Sequence, residues 1–211
     1  STPSLAVSTF MPWRSNRRLV TFRTVTESST TITNNGRPCS MSRHSATLRC
    51  GDIAEWPQLL ADMQAALARG QYAVVLLAYE LGGQILGTGG RPGDAALAQV
   101  LLFDDCAHLS PDEVAAWLDA QQAAGDAPGG IAHVRANVDE AEFTRAICRI
   151  RDYIAAGDTY QVNYTYRLRF DAFGSVHALY ARLRARQPVP YGALMALPDG
   201  GALLSLSPEL F

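Results

Sequence analysis

The chain has 211 residues, 48% of them hydrophobic and 18% charged, with a formal net charge of -2. This is the composition of a globular protein with enough apolar side chains for a real core. The charge balance excludes a whole-chain electrostatic drive toward nucleic acid or anionic lipid. No apolar run approaches the ~20 residues of a membrane-spanning helix. The opening STPSLAVSTFMPWRSNRR does not follow the order of a secretory signal. The four cysteines (Cys39, Cys50, Cys106, Cys148) form no C-x-x-C and match no zinc spacing. They read as reduced, mostly buried thiols of a cytoplasmic protein. His44, His108, His133 and His177 are equally scattered, so no His/Cys metal site is expected.

Residues 1–45 are rich in Ser, Thr and Asn and are expected to be poorly structured, with one short strand at LVTFRTV (19–25) and loop at TESSTTITNNGRP (26–38). An N-terminal α/β subdomain is expected over 46–126. Asp52 and Glu55 make a capping box, and Trp56, Leu60, Met63 and Leu67 fall on one helical face before the stop at Gly70. YAVVLLAY (72–79) is a continuous apolar run of strand length, broken by Leu81-Gly82-Gly83. GTGGRPGD (87–94) is a loop without the G-x-x-x-x-G-K of a phosphate-binding turn. LAQVLLFDD (97–105) is the next strand, and Ser110-Pro111-Asp112-Glu113 opens the next helix. AAGDAPGG (123–130) reads as a hinge.

The third unit is expected over 127–211. IAHVRANV (131–138) alternates like a strand. Asp139 and Glu142 then cap a helix with an apolar stripe of Phe143, Ala146, Ile147, Ile150 and Ile154, stopped at Gly157. Next comes the sharpest period-two signal in the chain. Tyr160, Val162, Tyr164, Tyr166, Leu168 and Phe170 alternate with Gln161, Asn163, Thr165, Arg167 and Arg169. This predicts a long central strand, its apolar face packed on the helices at 139–156 and 175–187. DAFG (171–174) turns the chain, Ser175 caps a helix, and Pro188 and Pro190 end it. YGALMAL (191–197) and ALLSLS (202–207) form a hairpin around 198–201. That hairpin is expected to present a bare apolar edge, so the chain reads as an N-terminal piece of a larger protein. The fold class is α+β, with layered α/β sheets and packed helices. The residues alone show no nucleophile elbow, no dinucleotide fingerprint and no carboxylate cluster for magnesium. Asp104-Asp105 reads as a turn or cap.

Four segments in register carry a family resemblance. YIAAGD (153–158), YQVNYTYRLRF (160–170), LYARLRARQPVPYGALMAL (179–197) and LLSLSPELF (203–211) resemble, in this order, the start of the chorismate-binding enzyme module. ALARGQYAVVLLAYELGG (66–83) resembles the same component more loosely. The resemblance implies a partial chorismate-binding, anthranilate synthase component I-like fold. Tyr160-Gln161-Val162-Asn163 is similar to the aminodeoxychorismate (para-aminobenzoate) branch of the family. That branch implies amination of chorismate to 4-amino-4-deoxychorismate for folate synthesis, with Mg2+ and with ammonia from a glutamine amidotransferase subunit. The Asn-Tyr-Thr continuation resembles forms fused to an aminodeoxychorismate lyase. The family's magnesium ligands, lysine and acid/base residues match no position here, so no catalytic or metal residue is assigned to this segment. One ligand-binding candidate falls inside it. Pro190, Tyr191 and Gly192 match the segment that lines a tryptophan pocket in relatives, with Glu27-Ser28 the candidate for its N-terminal part. Gln187 and Gly192 depart from the Asn and the Met or Ser usual there. Read without the resemblance, Pro190-Tyr191 ends a helix and packs a core aromatic. The alternatives are an anthranilate synthase component I-like protein of tryptophan biosynthesis, or a non-catalytic module that binds an aromatic ligand.

Overall fold

The computed structural model describes residues 6–8, 30–34, 37–88, 96–123, 128–197 and 201–208. Its strands are β1 (Ala6–Ser8), β2 (Thr30–Asn34), β3 (Arg37–Cys50), β4 (Tyr72–Leu77), β5 (Ala98–His108), β6 (Gly130–Ala136), β7 (Leu168–Phe173), β8 (Tyr191–Ala196) and β9 (Ala202–Ser207). Its α-helices are α1 (Trp56–Ala68), α2 (Tyr79–Leu86), α3 (Pro111–Ala123), α4 (Glu140–Ala156) and α5 (Val176–Arg186). Seven strands form one sheet in the order β1-β4-β5-β3-β2-β8-β9, while β6 and β7 form a separate ladder. The mixture of helices and sheets is the expected α+β class. The large sheet draws strands from both sides of the 126/127 boundary.

The apolar runs of β4 and β5 are continuous because both faces of these strands are covered. Ala73, Val75 and Leu77 join Ala98, Val100 and Leu102 in a cluster with Leu59, Met63 and Ala66 of α1. The alternate residues Tyr72, Val74 and Leu76 join Leu101 and Phe103 in a second cluster with Met41, Ala193 and Met195. A third cluster sets Val114 and Leu118 of α3 and Tyr180 of α5 on Leu194 of β8. β3 spans this core as a 14-residue strand. Its register against β5 shifts between His44 and Ala46, and Arg43 sits at φ 56, the local kink of a β-bulge. Arg43 meets Asp105 at 3.1 Å and Asp104 at 3.9 Å across that bulge.

The predicted caps form, Asp52–Glu55 as a full capping box and Asp139 through its side chain. Asp52 accepts from Ala54 N at 2.8 Å while Glu55 accepts from the backbone of Gly51 and Asp52. Ser110 and Glu113 bond each other's backbone N–H reciprocally, at 2.6 and 3.2 Å. Asp139 accepts from Glu142 N at 2.6 Å, and Ser175 accepts from Ala178 N at 3.3 Å. Each satisfies donors that a helix leaves free in its first turn.

Several expectations fail. Part of the segment read as loop is strand: β2 pairs with β3 and with β8, so residues 30–34 and 37–45 are strand. The segment 19–25 and residues 89–94 of the predicted loop lie outside the described residues. The Gly82-Gly83 break is instead the middle of α2, which runs on to a left-handed C-cap at Gly87, with Leu81 buried. The β8–β9 hairpin is not a bare edge. Pairing of β8 with β2 buries Ala193, Leu194 and Met195, and only β9 lies at the rim. The long strand expected at 160–170 is the largest departure. Residues 161–167 form no regular strand, and β7 starts at Leu168 and continues through the expected turn to Phe173. Among the described residues it pairs with β6. The helix beside it, α4, buries none of its residues, although its stripe is amphipathic.

This partition of burial is testable. Phe103 is 0% exposed and Leu168 is 46% exposed. Phe103→Ala should cost about 3–5 kcal/mol and Leu168→Ala less than about 1 kcal/mol, read from urea denaturation midpoints. Equal costs would contradict the partition.

Candidate functional site

The position of the alternating stretch at 160–170 follows from α4 and β6. Gly157, at φ 82, closes α4, and the chain then runs past it as 158–167. On the apolar side the ring of Phe143 meets Tyr164 at 5.7 Å and Tyr166 at 5.8 Å, so these two tyrosines do lean on α4 as the alternation predicted. Tyr160, however, is 92% exposed. On the polar side Gln161 Nε2 donates to Asn163 Oδ1 at 3.1 Å, and both residues are exposed.

The stretch is tied to β6 at one point. Asn137 N donates to Arg167 O at 3.0 Å, and Asn137 Oδ1 accepts from Arg167 N at 2.7 Å. The ladder then sets Arg135 opposite Arg169. Beyond an irregularity between Ala132 and Arg135, His133 (φ 52) meets Asp171 through Nδ1 and Oδ2 at 2.8 Å. Histidine and carboxylate are both open to water, so the pair is weak. We assign it no acid/base role.

A glycine junction fixes this ladder to α5. Gly174 lies at φ 73, and a Cβ there would overlap the carbonyl oxygen of Pro128. A Cβ on Gly129 would overlap the carbonyl oxygen of Ser175, which accepts the first bond of α5 from Leu179 N. Arg182 Nη1 donates to Gly129 O at 2.6 Å and closes the junction. Neither glycine was singled out from the sequence as a packing position. The glycine pair ahead of the predicted strand and the glycine that ends DAFG were the available signals.

Pro190, Tyr191 and Gly192 carry the chain from α5 into β8. Pro190 is exposed, Tyr191 half-buried and Gly192 buried, with Tyr191 opposite Ser207 and Gly192 opposite Leu206 of β9. Glu27-Ser28 lies outside the described residues. The two histidine and tyrosine titrations that depart from normal in this region belong to the α3–α5 contact. Burial lowers the His177 pKa, and its ring stands edge-on to Trp117 at 5.4 Å. Burial raises the Tyr180 pKa, with the Arg184 charge pulling the other way.

Among the described residues no group of three His, Cys, Asp or Glu side chains could hold a metal ion. Asp104 and Asp105 do not fit magnesium. Arg43 occupies both, and Gln71 Nε2 donates to Asp104 at 3.0 Å. Among the described residues no helix is long and apolar enough to cross a membrane.

The α+β chain with its segments of chorismate-module character has clear relatives. Residues 25–211 match the family described as chorismate binding enzyme, and the chain belongs to that family of enzymes. The anthranilate synthase component 1 of Streptomyces coelicolor is 33% identical over 117 residues, covering 56% of this chain and 23% of the relative. The aminodeoxychorismate synthase component 1 of Klebsiella aerogenes is 35% identical over 114 residues, covering 54% and 24%. That of Salmonella typhimurium is 31% identical over 96 residues, covering 45% and 21%. The chain thus spans about a quarter of the length of the curated relatives it matches.

The junction yields a prediction. Gly157 shares the left-handed backbone of Gly174 but has nothing within 4 Å of a Cβ. Gly157→Ala should cost only the backbone strain of about 1–2 kcal/mol. Gly174→Ala adds the overlap with Pro128 and should cost distinctly more. Denaturant midpoints of the two variants check this ordering, and equal losses would overturn the junction.

Proposed function

We propose that the chain is the N-terminal portion of an aminodeoxychorismate synthase component I. The observation that carries this reading is Tyr160-Gln161-Val162-Asn163, placed between the end of α4 and β7. In this reading the complete enzyme works in the cytoplasm and aminates chorismate to 4-amino-4-deoxychorismate for folate synthesis. A glutamine amidotransferase subunit delivers the ammonia, and an aminodeoxychorismate lyase is a candidate fusion partner. Mg2+ and the acid/base groups are held by residues outside these 211. The chain's part is structural. Residues 46–126 supply an N-terminal subdomain and residues 127–211 begin the chorismate-binding domain.

Pro190, Tyr191 and Gly192 are the proposed aromatic-ligand segment. Buried Gly192 offers no side chain to a tryptophan, which points to a weak or vestigial pocket. The second reading is an anthranilate synthase component I, supported by the likeness to the Streptomyces coelicolor protein of that name.

The test is an assay of the longest gene product that contains this sequence, with chorismate, Mg2+ and ammonium. The expected product is 4-amino-4-deoxychorismate, while the 211-residue chain alone stays at background. Anthranilate as the product would replace the first reading by the second. No aminated product from the long form would overturn both.

A further inference from the structure

The β3–β5 ladder brings two of the four cysteines together, although they lie far apart in sequence. Cys39 pairs in register with His108, and Met41 pairs with Cys106, so Cys39 and Cys106 are diagonal neighbours on antiparallel strands. Register alone leaves a diagonal pair near the limit of what a disulfide spans. Here the register puts both side chains on the same face of the ladder, where the Cys39 side chain hydrogen-bonds that of Cys106. Both lie in the cluster built by Met41, Leu101 and Phe103. Cys39 is buried and Cys106 is half-buried, so an incoming reagent reaches Cys106 first. The other two thiols are placed differently. Cys50 donates to the Asp52 carbonyl at 3.1 Å, and Cys148 is exposed on α4.

We infer that Cys39 and Cys106 form a dithiol site that a low-molecular-weight disulfide, such as oxidised glutathione, converts to a cross-strand disulfide. Cys106 acts as the entering thiol and Cys39 as the resolving one. The Cys106 thiolate attacks one sulfur of oxidised glutathione. The S–S bond of the reagent breaks and the first glutathione leaves as a thiolate, which takes up the proton that Cys106 gave to solvent. The Cys39 thiolate then attacks the Cys106 sulfur of the mixed disulfide and expels the second glutathione. The two protein thiols are oxidised, and the two electrons reduce the reagent to two glutathione thiols. The product ties β3 to β5 beside the Leu109 N to Pro38 O bond of 2.8 Å that ends their ladder. Burial raises the Cys106 pKa, with the Cys39 hydrogen bond pulling the other way, so the reduced pair reacts slowly with oxidant.

The experiment uses the Cys148→Ser chain, which keeps three thiols and removes the exposed one. Folded protein is incubated with oxidised glutathione, quenched, and titrated for thiols after denaturation. The expected titre falls from three to one. Non-reducing peptide mapping then joins the Cys39 and Cys106 peptides, and dithiothreitol restores all three thiols. Adding Cys39→Ala removes the resolving thiol, and Cys106 should then retain a stable glutathione adduct. The single Cys148→Ser protein decides the matter even where that double variant folds poorly. A titre that stays at three, or a lasting adduct on Cys106 without the cross-link while Cys39 is present, overturns the inference.

Discussion

β3 and β5 run against each other from Cys39 opposite His108 to Cys50 opposite Ala98, and every other strand of the large sheet reaches it through one of them. β4 hangs on β5 and carries β1. β2 hangs on β3 and carries the β8–β9 hairpin. The same two strands supply side chains to both faces. Val100 and Leu102 face α1 and its cluster, while Leu101 and Phe103 face the all-strand cluster that reaches β8. Backbone pairing in such a strand is fully internal, so its amides and carbonyls are satisfied where water is excluded. The burial of these side chains on both faces supplies the apolar free energy that holds the ladder.

The unit of β6, α4 and β7 is built on a different balance. Its local signals are strong: a capped start at Asp139, a left-handed stop at Gly157 and a stripe at helical spacing. Helices draw most of their stability from packing rather than from such signals. Here the packing is thin, because α4 buries no residue and Ile131, Val134, Leu168 and Phe173 of the ladder are exposed. What anchors the unit is the contact of Gly129 with the start of α5 and of Gly174 with Pro128, together with the Arg182 bond.

This contrast explains what the sequence made legible. Caps at Asp52, Ser110, Asp139 and Ser175 are local, acting over two or three residues, and all were readable. So were the apolar runs of β4 and β5, because burial on both faces leaves a continuous signature. The β2–β3 hairpin was not readable. Its Ser, Thr and Asn carry no apolar period, and pairing with β3 and β8 is what makes β2 a strand. Gly82-Gly83 looked like a break because glycine weakens a helix, yet Leu81 packs into the α1 cluster and holds α2 in place. The alternation at 160–167 satisfied the strand rule, but among the described residues no partner strand pairs with it. For the site, the family was legible from four short segments, and the chain's membership in the chorismate-binding family follows over residues 25–211. The Cys39–Cys106 contact was illegible, since it depends on the register of strands separated by α1, β4 and α2.

Native-state amide hydrogen exchange tests this account most directly, because it reads the free energy of opening at each element. The account predicts the slowest exchange in β3 and β5, centred on Leu101 and Phe103. It predicts exchange through much easier local opening in α4 and in residues 161–167. Protection of the α4 amides equal to that of Leu101 would contradict it, and would show that the β6–α4–β7 unit and the large sheet open as one.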